Sequence, residues 1–352
     1  MSLPSSYKIA AAENPGSPLA LKDTPMPTVG DEQVLVKVLA CSVCHTDAVV
    51  AAGYFGISFP RVPGHEIIGD VVKVGSAVVG VKPGDRVGGS WHGVESTECS
   101  PYSFTNSNFS GHDGTCRECS RGLVQMCQNE EAHGVTLDGG FGEYVLMRSQ
   151  AVVGVPADMD PAEAAPLMCA GLTSFNGIRK MGIEAGGLVA VQGLGGLGHL
   201  AIQYANRMGY KVVALSSGSS KKEFAAHHYV DTSAEDPVKA LIALGGADLI
   251  VATAPHAKAV SPLINGLRSL GNLLVLAPVG NVEFDTTVLL RKGASVLSWP
   301  SGNITDAEEI LEFSKVHGVK CLVEKFPLGK VNEAMGHMLT GSVRFRSVLV
   351  VY

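Results

Sequence analysis

The feature that most constrains this chain is the glycine-rich run Gly193-Leu194-Gly195-Gly196-Leu197-Gly198. It follows the apolar stretch Leu188–Gln192 and opens a segment in which Leu197, Ala201, Ala205 and Met208 recur at helical spacing. A second apolar run, Lys211–Ser216, comes where the next strand of a βαβ unit belongs. Glycines in that setting permit a tight turn and let backbone N–H groups approach a pyrophosphate at a helix N-terminus. The run therefore predicts a dinucleotide site at Gly193, Gly195, Gly196, Leu197 and Gly198, a ligand-free turn being the alternative. Two further strand-like runs, Asp248–Ala252 and Asn272–Ala277, extend the alternation and imply a parallel sheet with helices on both faces.

The first half reads differently. Val34, Val36 and Val38 alternate with other residues as in a half-buried strand, and few helical periods precede about Asp160. This predicts a loop-rich β unit. Past Leu297 the strand–helix rhythm stops, and a helix near Asp306–Val316 and a strand at Arg346–Val350 end the chain. A length of 352 residues exceeds one comfortable core and suits two domains. With a net charge of -6 and no basic stripe, nucleic acid is not the expected partner. Met1–Ala10 has no apolar run, and no stretch reaches the roughly 18 apolar residues of a membrane span, so a cytoplasmic protein is expected.

Beyond the second strand, the turn Ser216-Ser217-Gly218-Ser219-Ser220-Lys221 carries no acid before Glu223. An Asp or Glu at the strand end would bind the adenosine ribose and repel a 2′-phosphate. Hydroxyls of Ser216 and Ser217, free backbone N–H groups and Lys221 can hold a phosphate instead. NADP(H) is therefore expected, with NAD(H) as the alternative.

The eight cysteines are not expected to form disulfides in a reducing cytosol. Cys44, His65 and Cys169 offer two thiolates and an imidazole, a set that suits Zn²⁺ and leaves a fourth position open. Asp47 is a candidate acceptor for the imidazole N–H. Cys116-x-x-Cys119-x7-Cys127 is a second cluster of metal-ligand type. Read singly, Cys169 could equally be a core thiol and His65 a satisfied surface histidine.

Cys44-His45-Thr46-Asp47, Gly64-His65-Glu66, Lys82-Pro83-Gly84-Asp85-Arg86-Val87, Cys116-x-x-Cys119, Met168-Cys169-Ala170-Gly171-Leu172-Thr173 and Gly193–Gly198 together resemble the zinc-dependent alcohol dehydrogenases of the medium-chain dehydrogenase/reductase superfamily. The spacing resembles the yeast and fungal type, and the serine turn the NADP-using cinnamyl-alcohol type. The resemblance implies an α/β protein with a GroES-like β catalytic domain and a Rossmann domain. The expected boundaries are 1–156 for the first (with a metal lobe at about 90–128), 157–296 for the second, and 297–352 for a return to the first. It implies that Cys44, His65 and Cys169 bind a catalytic zinc, with Glu66 behind it and Thr46 passing the alcohol proton. His45 and Arg346 would touch the cofactor pyrophosphate and Thr173 the nicotinamide. Phe55 and Trp91 would wall the pocket for a small alcohol or carbonyl substrate. With Tyr54 and Ile57 they suggest an aromatic or longer aliphatic one. A homodimer or homotetramer is implied.

The chain departs from that family pattern in places. Val49 stands where many members have a histidine that extends the proton path. Asp113 stands where the second zinc takes its first cysteine, so Asp113, Cys116, Cys119 and Cys127 form the expected structural set, with Cys99 and His112 as rival fourth ligands. Val94–Ser110 is additional to the pattern and reads as loop. The rival functions are reduction of a C=N or activated C=C bond on the same scaffold, and a non-catalytic binding protein.

Overall fold

The computed structural model describes residues 3–91 and 115–351. Its backbone divides into two units: Met1–Cys169 with Gly302–Lys315 and Cys321–Tyr352, and Ala170–Ser301 with Val316–Lys320. The first unit thus runs past the expected boundary at 156, because the turn Ala165–Met168 is buried and ends at Cys169, a residue of the first unit's metal-ligand cluster.

In chain order the first unit begins with β1 (Ser6–Ala11), β2 (Ala20–Pro25), β3 (Gln33–Ser42), β4 (Glu66–Val74), β5 (Arg86–Gly89), β6 (Tyr144–Arg148) and β7 (Val152–Gly154). The second unit holds β8 (Leu188–Gln192), β9 (Lys211–Ser216), β10 (His228–Asp231), β11 (Ala247–Ala252), β12 (Leu267–Val275) and β13 (Ser295–Leu297). The chain then returns to the first unit with β14 (Val323–Pro327) and β15 (Arg346–Val350).

In the first unit, β1 and β2 pair antiparallel, and a seven-stranded sheet runs β14-β15-β3-β4-β5-β7 with β6 also on β3. β3 is its centre. Val34, Val36 and Val38 are buried as the alternation predicts, but Leu35 is buried too, so both faces of the strand are covered. Register shifts at Leu35/Val36 and Val38/Ala40 bend it. One core cluster joins β3 to Val145 and Met147 of β6, Leu349 of β15 and Val331, Ala334 and Met335 of the helix Val331–Thr340. The helix His45–Ala51 lies in the stretch read as having few helical periods. Its seven residues are too few for a sustained period, and Asp47 in its first turn favours the helix dipole.

The second unit is a six-stranded sheet in the order β10-β9-β8-β11-β12-β13, parallel at every pairing. Its order reverses direction between β8 and β11, the switch point at which doubly wound sheets bind ligands. β8 and β9 match the runs read from sequence. β10 and β13 escaped that reading because one is a short strand among polar residues and the other an exposed edge. Among the described residues, no helix is long and apolar enough to cross a membrane.

Met147 is wholly buried within the first unit's cluster. Met147→Ala is expected to destabilise that unit by about 2–5 kcal/mol, since the cavity left in a close-packed core cannot fully collapse. The check is denaturant unfolding. A loss well below 1 kcal/mol would mean that the cluster is looser than described.

Candidate active site and metal centre

Strand pairing creates the site. β3 and β4 run antiparallel with Ser42 opposite Glu66, so the residues just after β3 and just before β4 meet at one end of the sheet. Cys44 follows β3, and His65 precedes Glu66. β15 pairs with β3 so that Val348 faces Ser42, which carries Arg346 to the same end. Cys169 arrives from the turn after Met168. One donor atom each from Cys44, His65, Glu66 and Cys169 lies within 4.8 Å of the other three.

Asp47 organises this end. Its Oδ2 accepts the Cys44 amide at 2.8 Å, and its Oδ1 accepts the Gly64 amide at 3.0 Å. Oδ1 also lies 3.2 Å from His65 Nδ1. Gly64 has φ +103, and a Cβ there would meet Phe141 Cδ1 at 2.5 Å, so only glycine allows this approach. With Nδ1 facing the carboxylate, His65 Nε2 is buried without a hydrogen-bond partner, as is Glu66 Oε1. An imidazole nitrogen left free beside two thiols is what a metal ion requires.

The electrostatics agree. The hydrogen bond with Cys169 holds Cys44 well below the ordinary thiol range, while that contact and burial push Cys169 well above it. Metal binding requires both thiols to be deprotonated, and a divalent ion between them would favour that. Burial disfavours a charged His65, but the Asp47 carboxylate overrides this and raises it well above the usual value. Burial raises Glu66 against the opposing pull of Arg346, whose Nη2 donates to Glu66 Oε2. Arg346 Nε and Nη2 also donate to Ser42 Oγ at 3.2 and 2.9 Å. Ser42 was not among the residues singled out by sequence; its place opposite Glu66 is a property of pairing, not of spacing.

The other expected residues fall as follows. Thr46 Oγ1 lies 3.7 Å from Cys44 Sγ. His45 is exposed at the first position of its helix. The Trp91 ring meets His65 edge-on at 5.4 Å and Phe55 at 6.3 Å, forming an aromatic wall beside the ligand set. Phe55 is 51% exposed and Tyr54 81%, so Tyr54 adds no enclosed surface.

In the second cluster, Cys116 Sγ lies 3.4 Å from Cys119 Sγ and 4.0 Å from Cys127 Sγ. Tetrahedral zinc–thiolate bonds of about 2.3 Å put sulfurs at about this separation. The Cys119 amide donates to Cys116 Sγ at 3.5 Å, and the Asn129 amide to Cys127 Sγ at 3.4 Å. Asp113, His112 and Cys99, and with them the Val94–Ser110 segment, lie outside the described residues.

In the second unit, β8 leads into Gly193 at φ +90, and a Cβ on Gly198 would stand 1.8 Å from Gly193 O. The Gly193 and Gly198 backbones therefore touch. Nothing lies within 4 Å of a Cβ placed on Gly195, so that side of the loop is open to a ligand. Thr253 Oγ1 braces the loop, lying 2.9 Å from Gln192 O and 2.8 Å from Gly193 O with its one hydrogen to donate between them. Lys221 Nζ reaches across from the next turn to Leu194 O at 2.8 Å. Ser217 is exposed, Ser216 is buried, and Thr173 is half-buried on the helix Ala170–Lys180.

Asp47→Ala is expected to weaken metal binding at the Cys44 cluster by about 10–100-fold, because the histidine loses its orienting partner. Titration of zinc against a chromogenic chelator reads this. Unchanged affinity would show that His65 is held by other contacts.

Residues 30–157 match the alcohol dehydrogenase GroES-like domain, and residues 196–315 match the zinc-binding dehydrogenase domain. An alcohol dehydrogenase of Penicillium expansum, patD, is 49% identical over 352 residues, covering 99% of this chain and 98% of that protein. A zinc-binding dehydrogenase of Sinorhizobium meliloti 1021 solved bound to NADP superimposes with a TM-score of 0.86 at 26% identity, covering 99% of this chain and 100% of that one. Acetophenone reductase of Geotrichum candidum, solved in complex with NAD, gives 0.83 at 27%, covering 99% and 98%. The chain belongs to the zinc-type alcohol dehydrogenases of the medium-chain dehydrogenase/reductase superfamily.

Proposed function

We propose that this enzyme interconverts an aromatic or longer aliphatic alcohol with its aldehyde or ketone, using a catalytic zinc and NADP(H). The observation that carries the reading is the buried convergence of Cys44, His65, Glu66 and Cys169 with His65 Nε2 left free. Bound there, zinc would supply Lewis-acid polarisation of the substrate oxygen, and the nicotinamide would supply or accept the hydride. The chain's own residues do the rest. Asp47 fixes the His65 ring, and Arg346 neutralises Glu66 behind the site. Thr46 holds its hydroxyl beside Cys44, where it can pass the substrate proton. Val49 offers no onward acceptor, so the proton beyond Thr46 would leave through water or the cofactor ribose, or more slowly. Trp91 and Phe55 exclude water from one wall and suit a planar apolar substrate. An intact ligand set weighs against C=C reduction and against a non-catalytic role.

On the cofactor side, Gly193, Gly195, Gly196, Leu197 and Gly198 would receive the pyrophosphate, together with His45 and Arg346. Arg346 has Nε and Nη2 committed to Ser42 and Glu66, which leaves Nη1 for a phosphate oxygen. Thr173 would lie by the nicotinamide. Ser216, Ser217 and Lys221 would take the 2′-phosphate; β9 ends without a carboxylate, and the Lys221 ammonium sits across the glycine loop. NAD(H) is the competing assignment. A structural zinc at Cys116, Cys119 and Cys127, completed by Asp113, and a cytoplasmic location belong to the same proposal. So does a homodimer or homotetramer: β13 ends its sheet with all its residues exposed, a feature that suits a second copy.

Three measurements test this reading. Cys169→Ser and His65→Ala should each lose one equivalent of zinc by elemental analysis and lower carbonyl reduction at least about 10³-fold, with far-ultraviolet dichroism unchanged. Full activity in a variant lacking that equivalent would refute the catalytic zinc. Wild type should show the lower KM with NADPH, and Ser216→Asp should move the preference toward NADH, since a carboxylate there binds the ribose and repels the phosphate. A wild type that turns over faster and at lower KM with NADH would reverse the cofactor assignment.

A further inference from the structure

β9 and β10 end side by side, with Ser216 paired to Asp231. Beyond that pair the chain turns through Ser217, Gly218, Ser219 and Ser220, the segment read as the seat of the adenosine 2′ end. Gly218 has φ +73, a conformation other residues rarely adopt, and nothing lies within 4 Å of where its Cβ would be. Glycine is required there for backbone shape and not for space.

That backbone shape is held at both polar groups of Gly218 from one strand. The Gly218 amide donates to Asp231 Oδ1 at 2.8 Å. The Tyr229 hydroxyl donates to the Gly218 carbonyl. Tyr229 and Asp231 are two apart on β10, so their side chains leave the same face. The Thr232 amide closes the base of the turn by donating to Ser216 O at 3.0 Å. Asp231 is itself fixed, for Oδ1 also accepts the Ser233 hydroxyl at 2.5 Å and the Ser233 amide at 3.0 Å. Led by the Ser233 hydroxyl, these donors hold the Asp231 carboxyl below its usual range.

We propose that Asp231, seconded by Tyr229, is a positioning residue for cofactor selectivity: it clamps Gly218 so that the exposed residues Ser217 and Ser219 are already placed for a 2′-phosphate. The inference rests on the NADP(H) reading above. Its physical content is preorganisation. A phosphate that must first order a loose turn binds more weakly than one that meets a fixed array. The Asp231 carboxylate also stands near that phosphate, and its charge opposes binding. Clamp and charge act in opposite directions, and different substitutions separate them. Asp231→Ala removes both. Asp231→Asn keeps an oxygen acceptor for Gly218 and removes the charge.

The test is calorimetric titration of the whole protein with adenosine 2′,5′-bisphosphate and with 5′-AMP, which lacks the 2′-phosphate. Asp231→Ala should weaken the bisphosphate by about 5–20-fold and 5′-AMP by less than twofold, on the preorganisation argument. Asp231→Asn should restore bisphosphate binding to the wild-type level or tighter. Tyr229→Phe keeps the ring and loses only the hydroxyl. It should weaken the bisphosphate in the same selective way, and it serves if the alanine variant fails to fold. Amide hydrogen exchange at Gly218 should speed up in Asp231→Ala and not in Asp231→Asn. Equal loss for both nucleotides, or an asparagine variant as weak as the alanine one, overturns the positioning role. A wild type that binds 5′-AMP more tightly than the bisphosphate overturns the NADP(H) reading and this inference together.

Discussion

The contacts of one buried carboxylate hold the catalytic end of this molecule together. Asp47 takes the amides of Cys44 and Gly64 and lies against His65 Nδ1. It thereby fixes the start of a helix, the entry to a strand and the orientation of an imidazole at once. A carboxylate at zero exposure is costly unless such donors surround it. The cost is offset because every bond it makes also sets a metal donor. Glu66, one residue past His65, faces the opposite problem: an acid in the interior with a single strong partner, Arg346. Such a pair is weak evidence for stability, since burying two charges can cost what their attraction returns. Beside Cys44 and Cys169, the pair sets the local charge of the candidate metal cluster.

Much of this was legible in the sequence, for identifiable reasons. β8, β9 and the glycine loop are local, and their periods of two and 3.6 appear within a few residues. The convergence of Cys44, His65 and Cys169 could be anticipated because few residue types bind zinc, and the structure brings them together with Glu66. What escaped was set by pairing between distant segments. Arg346 reaches Glu66 across 280 positions, and no spacing announces it. Leu35 looked like the exposed partner of an alternating strand. It is buried because β3 is central and covered on both faces. Asp231 and Tyr229 gave no signal either, because what they hold is the backbone of Gly218, in the turn beyond the neighbouring strand β9.

The two units differ in how they build a site. The first gathers side chains from segments far apart in the chain and needs a buried polar network to hold them. The second relies on backbone: contact between Gly193 and Gly198, the brace from Thr253, and a turn held at Gly218. A side-chain site is sensitive to the identity of each residue. A backbone site is sensitive to shape, and tolerates varied side chains where the loop is open.

The place of β15 in the chain bears on how the protein matures. The four donor residues have all been synthesised once Cys169 is made, yet the strand that carries Arg346 is made well after it. On the ribosome, a nascent chain can possess its whole metal-donor set while the slot beside β3 still lacks β15, leaving Glu66 without its counter-ion and the sheet edge at Ala40–Ser42 unpaired. Such an edge invites pairing with other chains. β15 is therefore a closing piece: it covers the β3 edge at Ala40–Ser42 and balances the Glu66 charge in one docking event. Loss of the β15–β3 pairing would be felt first as insolubility of newly made protein, before any change in chemistry could be measured.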